Sequence, residues 1–396
     1  MEGRSPTSWR RKEAMDKVAF SIPPVIGEEL DAIDDAIARR RLAGDGYYTD
    51  LCREWLERRL GCAKAFLTHS CTGALEMAAL LLDLGAGDEV IMPSFTFSST
   101  ANAVVLRGAV PVFADIDPAT MNIDVDEIER LVTPRTKAIF VVHYAGRVPD
   151  MDCINAIAAR HGIAVVEDAA QSLGSSYKGR PAGTHSALAA ISFHETKNIV
   201  SGEGGALVIN DPQFVARAAI LREKGTNRQA FLEGQVDKYT WVDLGSSYLP
   251  SEIVAAYLFP QLKATDGITA DRLRSWHGYR QALAPAVHRY GITLPAPIDR
   301  DAPLNGHIFH FLLPEAERRP AFIAAMKARG IHCGFHYVPL HSAPAGRRFG
   351  RAPGGCHVTE DAAARLVRLP LFYGMGEATV ARVCADVASA LTEIFD

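Results

Sequence analysis

Between residues 62 and 210, short apolar β-branched runs alternate with stretches in which apolar residues recur every three or four positions. Runs with no polar alternation, separated by amphipathic helical patterns, mark a parallel sheet covered by helices on both faces. The pattern predicts strands at 65–68, 89–92, 110–114, 138–143, 164–167, 189–193 and 206–209, and helices over stretches such as 73–84 and 152–161. After Tyr248-Leu249-Pro250 a helical pattern runs from about 251 to 283, and Pro260 is expected to kink it. Farther on, a strand at 308–313, a helix at 320–329 and a second strand at 332–338 predict a small α+β unit. The expected architecture is α/β with a mostly parallel central sheet. The expected division is a disordered extension over 1–20, a large domain with an N-terminal arm over 21–265, and a small C-terminal α+β domain over 266–396.

Composition narrows this little. A chain of 396 residues that is 48% hydrophobic can bury a large core. A formal charge of -4 gives no reason to expect nucleic-acid binding. The seven cysteines are odd in number and form no C-x-x-C pair, which fits a reducing compartment and packing roles. The first 17 residues are basic, with Arg4, Arg10, Arg11 and Lys12, but no apolar segment follows as a secretory signal requires, and Met15 is an alternative start. No run is apolar enough to span a membrane, so a cytoplasmic protein is expected.

Candidate chemistry centres on Lys197, in Ser192-Phe193-His194-Glu195-Thr196-Lys197-Asn198, followed by Gly202, Gly204 and Gly205. A lysine is ordinarily a surface residue. Here it follows an apolar strand and precedes a glycine cluster that lets the chain turn sharply. A desolvated amine becomes nucleophilic and can form a Schiff base. Asp168 falls at another strand end, where open α/β sheets bind ligands, and a carboxylate there can hold a pyridine nitrogen protonated; standing alone, Glu167 and Asp168 also read as solvated loop residues. Gln171 is placed to reach a phenolic oxygen.

Ser70-Cys71-Thr72-Gly73 lies between a strand and a helix, a seat for phosphate or an ordinary N-cap. Ser192 is a further phosphate candidate. Phe97 follows a strand end and reads either as core packing or as a ring lying on a cofactor face. For a nucleotide diphosphate the basic group Arg222, Lys224 and Arg228 is a candidate, with the helix dipole as the alternative reason for its charge. His336, Tyr337 and His341 are candidates for substrate contact or for packing at a domain junction. No metal site is expected.

These residues, with the runs Thr68-His69-Ser70-Cys71-Thr72, His143-Tyr144-Ala145-Gly146, Gly245-Ser246-Ser247-Tyr248-Leu249 and Phe335-His336-Tyr337-Val338-Pro339-Leu340-His341, resemble the DegT/DnrJ/EryC1/StrS family of sugar-nucleotide aminotransferases. The resemblance covers nearly everything from 22 to 395 and implies the aspartate-aminotransferase-like fold type I with pyridoxal 5'-phosphate as cofactor. It implies Lys197 as the Schiff-base lysine, Asp168 as partner of the pyridine nitrogen and Gln171 beside the phenolic oxygen. Thr72, Gly73 and Ser192 are then on the phosphate and Phe97 on the ring. Where much of the family has G-Y-N-Y, this chain has Gly245-Ser246-Ser247-Tyr248, so Ser247 stands where a partner subunit's asparagine would reach the phosphate.

The resemblance further implies a homodimer with shared active sites and a role in surface-polysaccharide biosynthesis. The reaction it implies is amination of TDP-4-keto-6-deoxy-D-glucose by L-glutamate, giving TDP-4-amino-4,6-dideoxy-D-galactose and 2-oxoglutarate. A sugar 3-aminotransferase, or a 4-aminotransferase of another nucleotide keto-sugar, is the nearest rival. The dehydratase branch of the same fold generally carries histidine in place of the lysine. A nicotinamide oxidoreductase would need G-x-G-x-x-G after the first strand, which Ser70 to Ala74 does not supply.

Overall fold

A computed structural model describes residues 17–232 and 234–396; the expected disorder of the N-terminal extension falls almost wholly outside them. The seven predicted strands all form. They are β1 (Lys64–Thr68), β2 (Glu89–Pro93), β3 (Val110–Ala114), β4 (Thr136–Val142) and β5 (Ala164–Asp168), then, after a short hairpin of β6 (Ser176–Tyr177) and β7 (Arg180–Pro181), β8 (Leu188–Ser192) and β9 (Gly205–Ile209). Their order in one sheet is β1-β9-β8-β5-β4-β2-β3.

The sheet is mostly parallel, with one exception that sequence patterning misses. β9 runs antiparallel to both β1 and β8. The reason is the connection: the loop 193–204 forms no helix and folds back on itself through the Phe193 N to Gly204 O and Glu195 N to Gly202 O bonds, so the chain returns beside β8 as a hairpin does. Apolar residues line both faces, as continuous hydrophobic strands require. Leu75, Met77, Ala78 and Leu81 of the helix Cys71–Leu81 pack on one side, and Cys52, Leu56, Ala255 and Leu258 on the other.

The long helical pattern divides into the helices Glu252–Lys263 and Thr265–Tyr290, with the break at Ala264, four residues beyond Pro260. Thr265–Tyr290 packs against the C-terminal helix Glu377–Phe395 and a two-stranded antiparallel sheet of β10 (Phe309–Leu312) and β11 (Leu366–Leu369). The helix expected at 320–329 is Arg319–Ala328. The strand expected at 332–338 does not form, and its place beside β10 is taken by β11. Segment 332–338 pairs with β11 through the isolated Gly334–Arg368 bridge, and Tyr337 lies in the left-handed region at φ 37°, which breaks extended geometry.

Candidate active site

At the carboxyl ends of β5 and β8 lies a cavity of about 460 Å³, roofed by residues of the second, smaller sheet and of the N-terminal arm. Lys197 lines it from the β8–β9 loop. That loop is drawn tight by Phe193 N to Gly204 O, Glu195 N to Gly202 O and Ser201 N to Phe193 O bonds of 2.9, 2.8 and 2.7 Å. Gly202 takes φ 81°, and a Cβ on Gly205 would lie 2.4 Å from Cys71 N. Glycine is therefore needed where β9 passes the N-terminus of the Cys71–Leu81 helix, as well as where the loop turns. The loop is anchored beyond the lysine. Asn198 donates to Asn305 O at 3.0 Å, and its Oδ1 meets His307 Nδ1 at 2.9 Å. Burial pushes the Lys197 pKa down and Arg368 adds to the fall, while Cys71 and Asp168 oppose it. An amine so placed is neutral at a lower pH than free lysine and is a better nucleophile.

Asp168 ends β5 and lines the same cavity. It is buried, not a solvated loop residue. Burial pushes its pKa up, opposed by a hydrogen bond from Thr100 Oγ1 at 2.8 Å and one from the Ala170 amide at 3.2 Å. It makes no ion pair among the described residues. Glu167 is buried too, facing the other side of the sheet. It accepts from the amides of Gly183, His185 and Ser186 at 2.8, 2.7 and 2.8 Å and stands 3.2 Å from His143 Nε2. Burial alone would raise its pKa; His143 above all, with His185 and the Ser186 hydroxyl, brings it below the usual carboxylate value.

Gln171 lines the cavity and accepts from Ala145 N at 2.8 Å while donating to Tyr337 Oη at 2.6 Å. Tyr337 is held in its unusual backbone conformation by that bond and by stacking on His336, ring centroids 3.7 Å apart. Both line the cavity. Phe97 also lines it and is 61% exposed, so its ring belongs to the pocket wall and not to the core.

The opposite end of the cavity is the first turn of the Cys71–Leu81 helix. Ser70 caps it by accepting from Gly73 N at 3.0 Å, so both readings of the motif hold in part: it is an N-cap, and Ser70, Cys71 and Thr72 line the cavity. Thr72 Oγ1 lies 2.7 Å from Ser99 Oγ, and Ser192 completes this polar end. Gly73 itself is buried against His69 and Tyr248 and does not line the cavity.

The basic group lies elsewhere. Arg222 is buried in a two-pronged pair with Asp45 at 2.7 and 2.8 Å, and Lys224 and Arg228 both bind Glu223. None of the three lines the cavity, and their charge is met locally by carboxylates. Ser247 is exposed and also outside it, in an isolated bridge with Glu223. His341 binds Ser94 and Glu360 instead of facing the cavity. Among the cavity residues that escaped the sequence reading are Phe20 of the arm, Arg272, His307 and Arg368. Arg368 carried a signal, since it is the one charge in the apolar run Leu366–Leu369.

A half-buried amine, a buried acid without a cationic partner and a polar helix N-terminus around one cavity define a site for a pyridine cofactor bearing a phosphate. The chain belongs to the DegT/DnrJ/EryC1/StrS aminotransferase family, whose profile matches residues 25–388. It is similar to S. venezuelae DesV at 32% identity, covering 95% of this chain and 98% of that one with a TM-score of 0.85. It is similar to the aminotransferase TlmJ from Streptoalloteichus hindustanus at 29% identity, covering 96% and 100% with a TM-score of 0.88. A DegT DnrJ EryC1 StrS aminotransferase from Brucella abortus matches at 27% identity, covering 91% and 95% with a TM-score of 0.84. The protein is a pyridoxal-phosphate-dependent aminotransferase of fold type I. The residues present fit that cofactor: Asp168 lacks the cation that a protonated pyridine would supply, and the cavity holds three cations, Lys197, Arg272 and Arg368, against one buried acid.

Proposed function

We propose that this enzyme transfers the amino group of L-glutamate to C4 of TDP-4-keto-6-deoxy-D-glucose, forming TDP-4-amino-4,6-dideoxy-D-galactose and 2-oxoglutarate. The observation that carries amino transfer is the placement of Lys197 and the buried Asp168 in one cavity, each within reach of the other's charge. The choice of sugar rests on the long runs quoted above, such as Phe335 to His341, that the chain shares with sugar 4-aminotransferases.

When bound, pyridoxal phosphate supplies an aldehyde for amines and a ring that accepts the electron pair released at a substrate carbon. The chain does the rest. Lys197 would hold the aldehyde, and its amine would move the proton of the donor's α-carbon. Asp168, fixed by Thr100 and the Ala170 amide, would keep the ring nitrogen protonated. Gln171 would attend the phenolic oxygen, Phe97 would cover the ring, and Ser70, Thr72 and Ser192 would bind the phosphate. His336 and Tyr337 face the substrate side.

A homodimer belongs to this reading. The segment leading to Ser247 exposes Tyr239, Trp241, Val242 and Leu244, with Trp241 77% exposed, an apolar surface that a second copy would cover. Ser247 would then serve the phosphate of the neighbouring subunit. The large unit, 21–265, is read as the cofactor-binding domain and 266–396 as the small domain, with the protein acting in the cytoplasm on surface-polysaccharide precursors.

Purified enzyme incubated with L-glutamate and TDP-4-keto-6-deoxy-D-glucose should give a product whose C4 amine NMR assigns as axial. An equatorial amine, or amination only of a 3-keto sugar nucleotide supplied in parallel, overturns the choice of substrate.

A further inference from the structure

His307 has one ring nitrogen committed to the protein and one left over. Its backbone is fixed on both sides: the N–H donates to Asn305 Oδ1 at 3.1 Å, and the carbonyl oxygen accepts from Arg272 Nη2 at 2.8 Å. The residue is 6% exposed, lines the cavity, and is held at Nδ1 by Asn198 Oδ1. Its Nε2 makes no hydrogen bond among the described residues, yet it is not sealed in the packing as His310 Nδ1 is. The nitrogen open to the cavity is therefore Nε2.

The proton on this ring can be placed from its partners. Asn198 donates its side-chain N–H to the carbonyl oxygen of Asn305, an atom that only accepts, so its own Oδ1 is the atom that meets His307. An amide oxygen offers no proton, so His307 Nδ1 carries the hydrogen. A second proton is disfavoured, because burial and the charges of Lys197, Arg272 and Arg368 hold the His307 pKa well below its ordinary value. Nε2 is then a bare lone pair, able to accept and unable to donate.

Such an acceptor discriminates among the ligands the cavity must admit. In L-glutamate the amine is the group transferred, and what remains polar is carboxylate, itself an acceptor. The cofactor phosphate and a nucleotide diphosphate are acceptors as well. A sugar keeps hydroxyl groups, which donate. Position decides which one: Asn198, which fixes His307, is the chain neighbour of Lys197, so the donor lies close to the carbon at which Lys197 moves a proton. A nucleobase N–H is a diphosphate and a sugar ring away from that carbon.

We propose that His307 Nε2 accepts a hydrogen bond from the sugar hydroxyl on the carbon next to the carbonyl being aminated, the C3 hydroxyl of a 4-keto-6-deoxy sugar. The assignment rests on reading the cavity as a sugar aminotransferase site.

The test takes holoenzyme that has received the amino group from L-glutamate and follows single turnovers with TDP-4-keto-6-deoxy-D-glucose and with its 3-deoxy analogue. Wild type, His307→Asn and His307→Gln are compared. Asparagine keeps an N–H for Asn198 and puts nothing at the Nε2 position; glutamine reaches farther and restores an acceptor. Wild type should favour the 3-hydroxy sugar in kcat/KM by about tenfold or more, since omitting the hydroxyl leaves a buried acceptor unpaired. In His307→Asn that preference should fall to about twofold or less, with the loss borne by the hydroxy sugar. The half-reaction with L-glutamate should change by less than about threefold, because no hydrogen bond to it is removed. His307→Gln should regain part of the preference, and the wild-type comparison of the two sugars decides if neither variant accumulates. Nitrogen NMR of histidine-labelled wild-type holoenzyme, with His307→Gln identifying the resonances, should show one protonated and one bare ring nitrogen.

Equal losses with both sugars would make His307 a prop for the Asn198 loop, and a loss confined to L-glutamate would give the lone pair a different partner. A proton found on Nε2 would remove the acceptor. Each overturns the assignment. A wild type that aminates both sugars alike removes the role of His307 and leaves the enzyme's reaction standing, whereas a wild type that aminates neither takes down the substrate reading and this assignment with it.

Discussion

Thr100 donates its hydroxyl hydrogen to Asp168 Oδ2 across 2.8 Å, and Thr96 Oγ1 stands 2.9 Å behind it, so the acid's charge is held from the first turn of the helix Ser98–Val105. Burial works against that charge, raising the Asp168 pKa. Thr100→Val removes an opposing donor, so the pKa rises further. Activity requires the ionised acid and is lost as pH falls through its pKa; the acid limb of kcat should therefore move to higher pH. The loss of one hydrogen bond to a charged group predicts a fall in kcat of about 10- to 100-fold. Asp168→Ala should lose several orders of magnitude. A Thr100→Val enzyme with an unchanged acid limb would show that the hydroxyl does not tune the carboxylate.

Lys197→Ala should abolish turnover and the visible absorbance of lysine-bound cofactor; a variant with normal turnover ends the proposal. A pH effect follows as well. Because burial and Arg368 lower the Lys197 pKa, capture of pyridoxal phosphate by the apo-enzyme should rise with pH and level off below the ordinary lysine value of 10.5. Removing the neighbouring positive charge in Arg368→Met should shift that midpoint upward. Stopped-flow absorbance against pH measures both midpoints.

The strands and the two ends of the site were legible because they are local. Val110–Ala114 announces itself by composition, and Asp168, Lys197 and Ser70 to Thr72 each sit at the end of an apolar strand, where ligands gather. The direction of β9 was not legible, since apolar runs carry no strand polarity; the backbone bonds that fold 193–204 back on itself set it. Residues 332–338 alternate like a strand, but Gln171 claims the Tyr337 hydroxyl and the backbone bends to meet it. Arg272, His307 and Arg368 meet Lys197 only through tertiary folding. The basic cluster at 222–228 misled for the converse reason, because its partners Asp45 and Glu223 neutralise it.

Glu167 shows how the site is braced from behind. Its carboxylate is the common acceptor for three backbone amides and the Ser186 hydroxyl, 2.9 Å away, while its neighbour Asp168 faces the cavity. Glu167→Ala leaves these donors buried and unpaired, and a loss of about 3–5 kcal/mol is expected in chemical denaturation. Ser186→Ala, which removes one donor and leaves the acceptor satisfied, should lose about 1 kcal/mol. Similar losses in the two variants would mean that Glu167 is not the organising group.

Glu89 ties the returning segment to the sheet and should set part of the protein's acid sensitivity. It opens β2, is almost wholly enclosed, and accepts from Arg351 Nη2 and Nε at 2.6 and 3.1 Å, from Thr133 Oγ1 at 2.7 Å, and from Arg135. Arg351 lies in the stretch that bridges to Val112 of β3, so the pair holds chain from beyond β10 against the large sheet. Burial would raise the Glu89 pKa, but Arg351, Thr133 and Arg135 outweigh it and bring it down to about 2 from 4.5. A depressed carboxylate contributes stability that is present above pH 4.5 and is lost as pH falls toward about 2. With the Arg135 partner largely in solvent, that contribution is about 1–2 kcal/mol. Glu89→Gln should lower stability at pH 7 and flatten the slope of unfolding free energy between pH 4.5 and 2. Urea melts across that window measure it; a variant whose acid slope matches wild type would place the acid-labile contact elsewhere.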